Sequence, residues 1–79
     1  MGVINVRHWL KIARRESNNL TQNQLAKLAD ISRTMVTEIE NGNANPSVEV
    51  AKRIATVLGF DWTLFYQEGD EQAAGREAI

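Results

Sequence analysis

Between Leu20 and Gly42 the apolar positions recur with the period of a helix rather than the alternation of a strand. Thr21 stands three residues before Gln24, so its hydroxyl can accept from the third helical amide while the Gln24 side chain reaches back. This capping box predicts a helix start. Leu25, Ala26, Leu28 and Ala29 follow at helical spacing, with Gln22, Asn23 and Lys27 on the other side. Asp30 and Ile31 interrupt that stripe, which predicts an end near Ala29. Ser32 is placed to cap a second helix through Glu40 whose buried stripe is Val36 and Ile39, and Asn41-Gly42 stops it. Upstream, a helix is expected from Asn5 to Glu16, with Val6, Trp9, Leu10 and Ala13 inward and Arg7, Lys11, Arg14 and Arg15 largely outward; Ser17-Asn18-Asn19 is its exit loop. Downstream, Asn43-Ala44-Asn45-Pro46 reads as a connector, because proline disfavours helical geometry at the residue before it. Ser47 then caps a helix with the stripe Val50, Ile54, Val57 and Leu58, ended by Gly59. Asp61 is placed to cap a last short helix, DWTLFYQ, and the segment after it has no apolar period and is expected to be mobile.

The fold class that follows is all-α, with five helices. The two helices joined at 30–32 form a helix-turn-helix, the geometry that lays a polar helix in the major groove of DNA. Seventy-nine residues make one small domain whose core stabilises the fold only modestly, so dimerisation is expected to help. Without cysteine there is neither a disulfide nor a thiolate metal site, and His8 is the single histidine, so no metal or other cofactor is expected. No apolar run approaches the ~18 residues of a membrane span, and no signal-peptide layout is present, so the expected location is cytoplasmic.

A net charge of −1 is unusual for a nucleic-acid binder until it is divided along the chain. Residues 1–66, the expected DNA-binding domain, carry eight Lys or Arg against six Asp or Glu, a net of +2. The tail, 67–79, carries Glu68, Asp70, Glu71 and Glu77 against Arg76, a net of −3. A few well-placed cations and backbone amides must therefore do most of any phosphate binding.

Several segments together invite a family: Leu20-Thr21-Gln22-Asn23-Gln24-Leu25-Ala26, Ile31-Ser32 through Val36 to Ile39-Glu40, Glu40-Asn41-Gly42, Pro46-Ser47 and Leu58-Gly59. On these the chain resembles the phage repressor-like, Xre-type helix-turn-helix family of five-helix DNA-binding domains, over about Val6 to Tyr66. The resemblance implies that Gln22 holds a DNA phosphate near the start of its helix, where amides and the dipole favour an anion. It also implies that Ser32, Arg33, Thr34, Thr37 and Glu38 form the DNA-facing surface. Arg33 suits guanine, the threonines suit phosphate or a thymine methyl, and Glu38 suits a cytosine amino group. Met35 is open between a base methyl and the edge of the core. Asn41 and Asn43 match a phosphate-gripping loop. Glu40 matches an acid that pairs with an arginine of the first helix and turns it toward DNA. Counting back from Thr21 favours Arg15, whereas the spacing of Leu10 and Ala13 favours Arg14, which this reading adopts. Asp30 departs from the family's glycine, a change aspartate tolerates in the left-handed region.

Trp9, Trp62, Phe65 and Tyr66 read first as core, with Trp62, Phe65 and Tyr66 also expected at a homodimer interface. The expected function is a sequence-specific DNA-binding transcriptional regulator, a repressor on a palindromic operator of double-stranded DNA. One alternative is an antitoxin whose tail folds on a protein partner; another is a protein-interaction module of the same fold that no longer binds DNA. No nucleophile–base pair, metal cluster or phosphate-cradling glycine loop is legible, so an enzyme is not expected.

Overall fold

The structure, a computed structural model, describes residues 6–67. It is all-helical among the described residues: α1 (His8–Glu16), α2 (Gln22–Ala29), α3 (Arg33–Glu40), α4 (Val48–Leu58) and a final helical turn, α5, at 64–67. The expected tail beyond Gln67, and Asn5, the first residue of the expected first helix, lie outside the described residues. Gln67 itself closes α5 rather than beginning the tail.

Local chemistry sets most of the boundaries. Thr21 Oγ1 accepts from Gln24 N at 3.0 Å and Gln24 Oε1 accepts from Thr21 N at 2.8 Å, completing the capping box. Ser32 and Ser47 cap α3 and α4 through the amides of Met35 and Val50. Asp30 takes the left-handed conformation, φ 58° and ψ 49°, at the end of α2. There Ile31 N donates to Ala26 O and Asp30 N to Lys27 O, which satisfies the last carbonyls and turns the chain sharply into α3. Gly42 repeats the device after α3 at φ 80°, with Gly42 N donating to Ile39 O and Asn43 N to Glu38 O. Asp61 Oδ1 accepts from both the amide and the hydroxyl of Thr63, so it caps the turn leading into α5. Those two donors hold the Asp61 carboxyl below its ordinary value.

One core joins the helices. Leu10 of α1, Leu25, Ala26 and Ala29 of α2, Val36 and Ile39 of α3, Ala51, Ile54 and Leu58 of α4, and Phe65 of α5 are buried together. Trp9, Phe60 and Phe65 meet edge-on or tilted with centroids 5.2–5.7 Å apart, closing the end of the core where α1 and α5 approach. Ser17 Oγ donates to Leu58 O at 3.0 Å and ties the exit of α1 to the end of α4.

Two expectations for the first helix need correction. Val6 and Arg7 are not helical, since α1 begins at His8. Nor does Arg7 face outward: it is 5% exposed, with its guanidinium donating to carbonyls of other segments. Arg14 is also buried, at 9%. Helical periodicity assigned both to the polar face because they are charged, whereas each is drawn inward by acceptors far away in sequence.

Candidate nucleic-acid interface

The inward side of α3 is Val36, Ile39 and Glu40, all buried. Arg33, Thr34 and Met35 are consequently exposed, and Thr37 and Glu38 are half-buried. Met35, left open by its spacing, lies on the exposed side at 39%. Ser32 is exposed too; its oxygen serves the Met35 amide, which leaves the hydroxyl proton available to another acceptor. Asn41 is half-buried at the end of α3 and Asn43 exposed just beyond it.

A carboxylate with no exposure sits beneath this surface. Glu40 Oε2 accepts from Arg14 Nε at 2.7 Å, and Oε1 accepts from Arg14 Nη2 at 3.1 Å and from Gln22 Nε2 at 2.9 Å. Arg14 Nη1 continues to Leu20 O at 2.8 Å. Thr37 Oγ1 donates to Gln22 Oε1 at 2.8 Å. The network joins α1, α2 and α3, and the planar guanidinium gives it a bidentate fork that fixes orientation as well as distance. Arg14, not Arg15, is the partner of Glu40. Every buried side-chain nitrogen and oxygen among the described residues has a partner, the condition under which an internal ion pair is tolerated.

The network bears on what Gln22 and Thr37 can offer a ligand. A glutamine amide has two N–H groups. One goes to Glu40, so the other suits a phosphate oxygen. Thr37 commits its proton to Gln22, so it meets phosphate only by giving up that bond, while a contact through its methyl group leaves the bond intact.

At the start of α2 lies a shallow recess of about 310 Å³ lined by Arg14, Arg15, Asn19, Leu20, Thr21, Gln22, Asn23 and Arg33. Three arginines thus line a recess at a helix N-terminus, where free amides and the dipole already favour an anion, although Arg14 has its charge paired with Glu40. Arg33 belongs both to this recess and to the exposed row of α3.

Residues 10–65 match the sequence model of the helix-turn-helix family. The chain belongs to the Xre-type helix-turn-helix family. It is 49% identical over 63 residues to YqaF, an uncharacterized HTH-type transcriptional regulator of Bacillus subtilis (strain 168), covering 80% of this chain and 82% of that one. An uncharacterized HTH-type transcriptional regulator of Methanocaldococcus jannaschii is 40% identical over 58 residues, 72% of this chain and 88% of its own. The ImmF control region 10 kDa protein of Bacillus phage phi105 is 38% identical over 48 residues, 61% of this chain and 53% of its own.

Within this helix-turn-helix framework the structure brings Gln22, Thr37, Arg14 and Arg33 together around α2 and α3, with Thr34 and Glu38 farther along α3. The three residues expected at a dimer interface separate. Tyr66 is 47% exposed and meets Trp62 edge-on at 5.8 Å, while Lys52 Nζ lies 5.1 Å from the Trp62 ring centroid. Phe65, at 4% exposure, is spent on the chain's own core. Of its two expected places, core and dimer interface, Phe65 takes the core one, because Trp9 and Phe60 converge on it. Sequence reasoning also missed Arg7 and Asn45. Asn45 Oδ1 accepts from Arg7 Nη2 at 2.7 Å across 38 positions, a separation that no helical period reports.

Proposed function

We propose that this helix-turn-helix protein is a sequence-specific DNA-binding transcriptional regulator that acts as a homodimeric repressor on a palindromic operator. The observation that carries the reading is the position of Arg33. It stands on the exposed row of α3 and also lines the arginine recess at the start of α2, so a base-reading helix is continuous with an anion site. With α3 in the major groove, Arg33 reads guanine, Thr34 approaches a thymine methyl and Glu38 accepts from a cytosine amino group. Phosphate falls to Arg14, Gln22, Ser32, Asn41 and Asn43, and Thr37 contributes its methyl.

The relatives support a regulatory role by name: two are HTH-type transcriptional regulators, and one belongs to a phage control region. Trp62 and Tyr66 supply the surface for a second copy, which places two α3 helices on half-sites about one helical turn, ~34 Å, apart. Repression follows from occupying promoter DNA. A protein acting on the genome works in the cytoplasm of a prokaryotic cell, and no helix among the described residues is long and apolar enough to cross a membrane.

The test is selection of sites from random duplex DNA, followed by titration of the selected sequence at two salt concentrations. An enriched palindrome bound tightly and salt-sensitively is the expected result. No enrichment by the purified chain would reject the reading in favour of a partner-dependent antitoxin or a protein-binding module.

A further inference from the structure

The last turn of α3 holds no basic residue, and it carries Glu38 and Glu40, charges of the wrong sign for the negative end of a helix. A cation reaches that end from elsewhere in the chain. Arg7 N donates to Glu40 O at 2.8 Å, and Arg7 Nη1 donates to Ile39 O at 2.6 Å, so one residue satisfies two terminal carbonyls of α3. The same guanidinium crosses into the following connector, where Nη1 reaches Ala44 O at 3.1 Å and Nη2 reaches Asn45 Oδ1 at 2.7 Å. Its carbon lies 5.8 Å from the centroid of Phe65, so the buried aromatic cluster backs the group. Arg7 lies just before residues 10–65, the span that matches the family's sequence model, and none of the roles implied by the resemblance falls on it.

From this geometry we infer that Arg7, with Asn45 as its acceptor, is a positioning residue for the α3–α4 connector. It holds the loop that presents Asn41 and Asn43 in the conformation that receives the DNA backbone. The inference rests on the DNA reading above and adds the element that shapes its phosphate-binding loop. The base-reading side chains Arg33 and Thr34 lie at the beginning of α3, away from the clamp, whereas Glu38 shares the last turn with it. Loosening Arg7 therefore lowers affinity for every sequence and leaves the base preference set by Arg33 and Thr34 unchanged.

Asn45→Ala tests this without disturbing the core, since Asn45 is exposed and loses one hydrogen bond. Arg7→Lys is the second variant; its ammonium can serve the Ile39 carbonyl but cannot span all three acceptors. For Asn45→Ala we expect operator binding weakened about three- to tenfold, the equivalent of one hydrogen bond. The ranking of base substitutions at the positions read by Arg33 and Thr34 should stay as in wild type, and the urea midpoint should fall by no more than the ~0.5–1.5 M that one lost hydrogen bond accounts for. Amide exchange at Asn43 and Ala44, measured without DNA, should quicken in both variants, because both amides donate to Glu38 O from the clamped loop. Wild-type exchange and wild-type affinity in both variants would overturn the inference. Faster exchange with unchanged affinity would reduce the clamp to a structural brace and overturn it as well, and so would an altered base preference at the positions read by Arg33 and Thr34. Failure of wild type itself to bind selected DNA removes the DNA reading and this inference with it, an outcome told apart because it is seen before any variant is made.

Discussion

Replacing Arg14 by lysine keeps the charge opposite Glu40 and removes the fork. In the native network Arg14 donates twice to the Glu40 carboxylate, at 2.7 and 3.1 Å, and once to Leu20 O at 2.8 Å. A lysine ammonium keeps one bond to the carboxylate. The second bond to a charged acceptor contributes about 1.5–3 kcal/mol, and the bond to Leu20 about 0.5–1.5 kcal/mol. The expected loss is about 2–4 kcal/mol, a large share of the roughly 4–12 kcal/mol available to a chain of this length. Urea unfolding followed by tryptophan fluorescence and circular dichroism reads it directly. With a slope near 1 kcal/mol/M, the midpoint should fall by about 2–4 M. Glu40→Ala should cost about 3–5 kcal/mol, because it strands the Arg14 guanidinium. In the Arg14→Lys background the same substitution should cost distinctly less, since the two residues share their bonds. A midpoint for Arg14→Lys within about 0.5 M of wild type would refute the reasoning, and so would strict additivity in the double variant.

Asp30→Gly should raise stability by about 0.5–1 kcal/mol in the same urea assay, because it relieves a left-handed non-glycine residue and removes an anion from the negative end of α2; a lower midpoint would contradict this. Asp61 has its carboxyl held below 3.8 by Thr63 in the folded chain, so its contribution is present above that pH and is lost as pH falls through the native value. Asp61→Asn should accordingly lower the melting temperature at neutral pH, with the difference from wild type shrinking in acid; a difference independent of pH would count against the Thr63 bonds as its source. For Arg33→Ala, binding to the selected operator should weaken by about 1–3 kcal/mol with specificity relaxed at one base position, whereas an equal loss on all sequences would make it a phosphate contact.

The helix boundaries from Thr21 to Gly59 were legible because the forces that set them act within a few residues; the last helix begins at 64, after the turn that Asp61 caps. Thr21 with Gln24, Ser32 with Met35, Ser47 with Val50 and Asp61 with Thr63 are all two or three positions apart, and the left-handed Asp30, Gly42 and Gly59 end their helices through neighbouring carbonyls. The row of polar residues on α3 was legible for the same reason, since helical period alone assigns Val36 and Ile39 inward. The pairing of Glu40 with an arginine of α1 came from family resemblance, and the choice of Arg14 rested on the apolar spacing around it. The interior polar chemistry was decided only by tertiary structure. Arg7 is buried because acceptors 32 to 38 positions away converge on it, and Gln22 and Thr37 meet across 15 positions. Phe65 is core rather than surface because α1 brings Trp9 to it. Local sequence determines where a backbone must turn and cap itself. Whether a charged or aromatic side chain faces solvent depends on partners that only the packed helices bring within reach, because desolvating it costs more than any local preference unless those partners are present.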